Sequence, residues 1–159
     1  LCRAGPTPVD EGTQAAVRAL WQAGSRHGRP PAPVPEADPW EADDPVDGAP
    51  RTVSVVFDGV PGVVVQLHRD GTDVVAVEGC VEIEVPRRDV VEVLEGLLGG
   101  RARRRPRVRG FWRSLASGVL GSPAPSDLEV PAGGRVYAGP ILFAPPLSGW
   151  LLSRPVAED

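Results

Sequence analysis

The stretch Thr52-Val-Ser-Val-Val-Phe57-Asp-Gly-Val-Pro-Gly62-Val63-Val-Val-Gln-Leu-His68-Arg-Asp-Gly-Thr-Asp73-Val74-Val-Ala-Val-Glu78-Gly-Cys80-Val-Glu-Ile-Glu-Val85 decides the fold class. Short β-branched, apolar runs alternate with Gly-, Pro- and Asp-bearing turns, which is the pattern of consecutive strands. It predicts strands over Thr52–Phe57, Val63–His68, Val74–Glu78 and Cys80–Val85. Asp58-Gly-Val-Pro-Gly62 reads as one turn and Arg69–Asp73 as another, with Asp70-Gly71 as the hairpin signal. In the fourth run Val81, Ile83 and Val85 alternate with Glu82 and Glu84, so one face is buried and the other wet. Connections this short join antiparallel neighbours.

Working outward on the C-terminal side, Pro86 to Leu98 reads as a helix, with proline in the first turn and Gly99-Gly100 ending it. Val90, Val91, Leu94, Leu97 and Leu98 form an apolar stripe, while Asp89, Glu92 and Glu95 face elsewhere. The stripe is the natural cover for the open face of the sheet, and its burial contributes on the order of 10 kcal/mol before entropy is subtracted. The expected fold is therefore α+β: a four-stranded antiparallel meander covered by one helix, with Pro/Gly-rich flanking segments.

On the N-terminal side, Asp10 to Ala23 is a second predicted helix. Asp10 can cap it, Glu11 suits its positive end and Gly24 can stop it. Ala16, Val17, Leu20 and Trp21 fall on one face, which can dock on the main domain or on a partner. Residues 28–50 read as a linker, with seven prolines and six acids between Glu36 and Asp47. Trp40, inside that acidic stretch, is a candidate anchor for a short linear motif. The expected organisation is a short helical segment over 1–27, a Pro/acidic linker over 28–50 and an α+β domain over 51–159. That domain divides into a core (51–100), an arginine-rich segment (101–113) and a C-terminal extension (114–159). Across the end of the arginine-rich segment, Phe111–Leu120 reads as a short amphipathic helix, with an extended Arg103–Trp112 strand as the alternative. Ser122–Asp127 reads as a loop, Arg135–Phe143 as a last strand interrupted at Gly139-Pro140, and Leu147–Ser153 as a terminal turn of helix.

Charge reverses along the chain. Residues 1–100 hold eight arginines against seventeen acids, and residues 101–159 nine arginines against four acids. Seven of those arginines fall in the thirteen positions from Arg101 to Arg113, with no acid among them. A like-charged run of this density needs an anionic partner, solvent or an acidic surface of its own chain. Arg101, Arg103, Arg104, Arg105, Arg107, Arg109 and Arg113, with Phe111 and Trp112, are thus the candidate binding residues. Guanidinium groups beside aromatic rings suit phosphates and bases, an acidic protein, or an anionic membrane surface. The acidic linker, Glu36–Asp47, is a further candidate partner, lying over the run and masking it. Lysine is absent and Ala, Gly, Pro, Val and Arg dominate, a composition that GC-rich codons favour.

The familiar constellations of catalysis are missing. His27, His68, Cys2 and Cys80 lack the paired spacing of a zinc site. His68-Arg69-Asp70 spells a kinase tripeptide, but it sits in a hairpin without the downstream asparagine or a Gly-rich loop. Ser114 and Ser117 have no histidine near them in sequence, Glu82 and Glu84 read as a solvated strand face, and Asp58, Asp70 and Asp73 read as turn residues without EF-hand spacing. No apolar run reaches membrane-spanning length, no signal segment is evident and two cysteines make no disulfide framework, so a cytoplasmic setting is the default expectation. No methionine occurs, so a processed or incomplete start is expected. These readings converge on a non-catalytic accessory or interaction domain that meets an acidic protein through its arginine segment and carries no cofactor or metal. A module binding single-stranded RNA or DNA is one alternative, and an enzyme whose active-site residues come from scattered loops is another.

Overall fold

The computed structural model describes residues 10–30, 52–107, 126–141 and 148–157. Strands β1 (Thr52–Phe57), β2 (Val63–His68), β3 (Thr72–Val77) and β4 (Val81–Pro86) form an antiparallel sheet in the order β1-β2-β3-β4. β1 and β2 have the bounds that their apolar runs predict. β3 begins earlier than expected because the hairpin closes tightly: Gly71 takes a φ of +82° and the Asp70 carboxylate accepts the Thr72 amide at 2.9 Å. Thr72 and Asp73 therefore join the ladder, opposite Pro86 and Val85. Glu78 and Gly79 supply the next turn, both at positive φ, which leaves Cys80 in the turn and starts β4 at Val81.

Alternation sets the faces. Val55, Phe57, Val63, Val65, Leu67, Val75, Val77, Val81, Ile83 and Val85 are buried on one side, while Glu82 and Glu84 are exposed on the other. Helix α2 (Val90–Leu98) lies over the buried side. It starts after Pro86, not at it, because Pro86 still pairs with Thr72 as the end of β4. Val90, Leu94 and Leu97 are buried as the stripe predicts; Val91 and Leu98 are only partly so, and Val93 and Gly96 are buried as well. The reason is a second layer on the other flank of α2.

That layer is a three-stranded antiparallel sheet of β5 (Arg103–Pro106), β6 (Ser126–Ala132) and β7 (Arg135–Pro140), in the order β5-β6-β7. The sequence predicts a loop over Ser122–Asp127 and no strand after it before Arg135. Its apolar side is short and alternates with Asp127, Glu129 and the exposed Pro131, yet Leu128, Val130 and Ala132 point inward and β6 packs on α2. A β-carbon on Gly96 would sit 2.6 Å from Val130 Cγ1, so the helix and β6 approach at glycine distance. At Gly139 the second sheet meets the first: a side chain there would collide with the Glu82 carbonyl of β4. β5 is the extended alternative, realised over its first residues; residues 108–125, including the predicted helix Phe111–Leu120, lie outside the described residues. On its other edge Arg104 pairs in parallel with Val156, its amide donating to the Pro155 carbonyl (2.9 Å) and its carbonyl accepting from Ala157 (2.8 Å). Before that bridge comes the one-turn helix α3 (Gly149–Leu152), capped by Ser148, with Leu151 buried.

Helix α1 (Glu11–Arg26) docks on α2 and β1. Asp10 caps it, its carboxylate accepting from the Thr13 amide (2.9 Å) and hydroxyl (2.7 Å). Gly24 does not stop it. The glycine is buried against the Phe57 ring, where a β-carbon has no room, and the helix runs on to Arg26. Leu20 and Ala23 are fully buried and Ala16 and Val17 pack against the core, but Trp21 is 43% exposed.

Candidate interaction surface

Strand alternation sorts the arginine run onto two faces. Arg103 and Arg105 of β5 stand opposite Glu129 and Asp127 of β6, with Arg107 just beyond the strand. Arg105 Nε donates to Glu129 Oε1 at 2.5 Å, and Arg107 pairs with Asp127 at 2.7–2.8 Å. This face carries acids between its cations. Arg104 belongs to the opposite side. Its Nε donates to the Arg154 carbonyl (3.4 Å), and the Arg154 guanidinium in turn stacks over Trp150, 4.5 Å from the ring centroid. Arg101 and Arg103 are exposed and, among the described residues, form no ion pair with an acid. Leu152 and Val156, 47% and 39% exposed, flank Arg154 in sequence.

Arg101, Arg104 and Arg154 gather near the C-terminal end of α2, where Gly99-Gly100 turns the chain: the Arg154 guanidinium approaches Gly100 and that of Arg101 approaches Gly96. Carbonyls at a helix C-terminus carry partial negative charge, which favours cations there. Trp150 and Arg154, which are not among the binding residues that the sequence predicts, thus supply an aromatic–guanidinium pair beside β5. Their signal was hidden because they meet β5 from almost fifty residues away. Arg109, Phe111, Trp112, Arg113 and Trp40, together with the acidic stretch Glu36–Asp47, lie outside the described residues.

The most elaborate polar cluster is buried and ties the fold together. Asp73, read from sequence as a turn residue, is fully buried on the inner face of β3. Arg87 Nε and Nη2 meet its carboxylate oxygens at 2.6 and 2.8 Å, Arg87 Nη2 also donates to the His68 carbonyl, and Nη1 donates to Thr13 Oγ1 (3.1 Å). The His68 amide donates to Asp73 Oδ1 at 3.0 Å. The Asp73 carboxylate holds the Arg87 guanidinium above its ordinary pKa, against the effect of burial. Through Thr13, the cluster reaches the Asp10 cap, whose carboxyl is held below its ordinary range first by the Thr13 hydroxyl and then by the Thr13 amide. Asp89 is a second departure from sequence expectation. It is buried and accepts the Tyr137 hydroxyl, which is why its side chain does not cap α2.

Among the described residues, those considered for catalysis make separate contacts. His68 Nδ1 lies 3.3 Å from Thr52 Oγ1, and among the described residues its buried Nε2 has no hydrogen-bond partner. Asp70 is engaged by its own hairpin, Glu82 and Glu84 are exposed, and Ser114 and Ser117 lie outside the described residues. Cys80 is a free thiol whose pKa burial raises, with the Glu78 charge adding to the effect. Among the described residues no group of three or more His, Cys, Asp or Glu is placed to hold a metal ion, and no helix is long and apolar enough to cross a membrane. No family model, no curated protein and no solved structure matches this chain.

Proposed function

We propose that this chain is a non-catalytic accessory or interaction domain that meets an acidic protein partner through its arginine-bearing surface. The observation that carries this reading is the stacking of Arg154 on Trp150 beside Arg104, flanked in sequence by exposed Leu152 and Val156. Arginine and tryptophan next to apolar side chains are the residue types that dominate the energetics of protein interfaces. A polyphosphate ligand calls instead for a continuous cationic track. Here Glu129 and Asp127 interrupt the track on the face of Arg103, Arg105 and Arg107. The chain's net charge of −4 works in the same direction.

The test is affinity capture from extract of the parent cell, with the full chain and with an Arg101→Glu/Arg154→Glu variant, beside titration of labelled single-stranded RNA and DNA. The expected result is an acidic protein held by the parent chain and lost by the variant, with no nucleic-acid affinity. Capture that the variant leaves unchanged overturns the surface. Tight, salt-sensitive RNA or DNA binding that the variant abolishes transfers the reading to nucleic acid.

A further inference from the structure

Helix α1 is held along its whole length by contacts to remote parts of the chain. Near its N-terminus Thr13 is buried, and its hydroxyl accepts from Arg87 Nη1 at 3.1 Å. In the middle Leu20 and Ala23 are fully buried. A β-carbon on Gly24 would come within 2.3 Å of Phe57 Cε1 and 2.4 Å of the Arg29 carbonyl, so no larger residue fits there. Toward the C-terminal end Arg26 pairs with Glu95 of α2. Just past the helix, Arg29 donates from all three guanidinium nitrogens into the β1–β2 loop. Its Nε meets the Asp58 carbonyl at 2.7 Å, Nη1 that of Val60 at 3.1 Å and Nη2 that of Pro61 at 2.5 Å.

The covalent connection adds no comparable constraint. The chain leaves α1 beside the loop that follows β1 and enters β1 at Thr52, the opposite end of that strand. A strand of six residues spans about 20 Å. Residues 30–51 make the connection, and a chain of that length reaches roughly 75 Å when extended. A connection with so much slack cannot dictate where α1 sits. It holds the helix near the core at an effective concentration of about millimolar order, and the contacts choose the place.

We infer that Phe57, the loop carbonyls of Asp58, Val60 and Pro61, Glu95 and Arg87 form a helix-docking site that recognises α1 as a ligand, with residues 30–51 serving only as its tether. The site reads its helix through a hydroxyl offered to Arg87, leucine and alanine in the apolar seam, glycine against the Phe57 ring, and arginines for Glu95 and the loop carbonyls. A helix laid into a groove through residues on one face is a recurring mode of peptide recognition; here the ligand belongs to the same chain. The inference is independent of the acidic partner proposed for the arginine surface.

The test is to split the chain between Ala37 and Asp38 and co-express the two pieces, so that every residue is present but α1 and the core are no longer joined. An affinity tag on the α1 piece captures the complex, and dilution followed by native mass spectrometry gives the dissociation constant. The expected result is a one-to-one complex that melts in a single transition. Arg29→Ala or Gly24→Ala in the α1 piece should raise the dissociation constant at least about tenfold, while Gln22→Ala, at an exposed position, leaves it unchanged. A core piece that does not follow the tag overturns the inference, because the tether is then needed to keep α1 in place. A complex that neither Arg29→Ala nor Gly24→Ala weakens overturns it as well.

Discussion

Arg87 and Asp73 form a two-pronged ion pair at the seam of the fold, Nε to Oδ2 at 2.6 Å and Nη2 to Oδ1 at 2.8 Å, with the carboxylate fully buried. Replacing Asp73 by Asn removes the charge that Arg87 was buried to meet, and breaking one partner of a buried pair costs about 3–5 kcal/mol. Urea unfolding of Asp73→Asn should show that loss. Glu129→Gln, at a pair whose arginine is 40% exposed, should change stability by no more than about 1 kcal/mol.

The same network makes the α1 cap sensitive to acid. The folded state holds the Asp10 carboxyl below its ordinary range, so the ionised form stabilises the fold. That contribution is complete above the unfolded-state pKa and is lost as pH falls through the folded one. Melting temperature followed through the acid range should fall less steeply in Asp10→Asn than in the parent. Parallel curves would show that the cap does not report on folding.

Tyr137 is the only tyrosine in the chain, so its ionisation can be read without interference from another phenol. The hydrogen bond to Asp89, more than burial, raises its pKa. A phenol with a raised folded-state pKa stabilises the fold below the unfolded value, and the contribution is lost as pH rises through the folded one. Tyrosinate absorbance should therefore appear later in alkali than for a free tyrosine, and Asp89→Asn should move the transition back toward the ordinary value.

Gly96 faces Val130 at a distance that leaves no space for a methyl group. Alanine there gains about 1 kcal/mol in helix propensity but meets overpacking worth about 1–3 kcal/mol. Gly96→Ala should be destabilised on balance, and a Gly96→Ala/Val130→Ala pair should lose less than the sum of the two single changes. Gly139→Ala should admit no comparable rescue, because the obstacle is the Glu82 backbone carbonyl.

Leu94 is completely buried on α2, the helix that packs on both sheets. Leu94→Ala should cost about 2–5 kcal/mol, and Leu94→Asp should abolish the cooperative thermal transition. A melt of Leu94→Asp that matched the parent would remove α2 from the core.

What could be read from the sequence alone were features set by near neighbours. The alternation of Val81, Ile83 and Val85 with Glu82 and Glu84, the Asp70-Gly71 turn, the Asp10 cap and the apolar stripe on α2 each arise from interactions within a few residues, where chain geometry leaves little choice. The tertiary structure decided whatever depended on distant partners. Asp73 reads as a turn residue and Asp89 as an acid off the apolar stripe, yet both are buried, because Arg87 and Tyr137 are delivered to them by the β4–α2 junction and by β7. Gly24 read as a helix stop and serves as a contact for Phe57. β6 lacked an apolar run long enough to stand out, and its strand character comes from packing on Gly96 of α2. The arginine run showed its density in the sequence. Only the register of β5 against β6, and the return of the chain at Trp150 and Arg154, decided which guanidiniums are matched by acids and which stack on a ring. A periodic pattern states which side of an element seeks burial; it carries no information about which remote group arrives to meet the polar residues on that side.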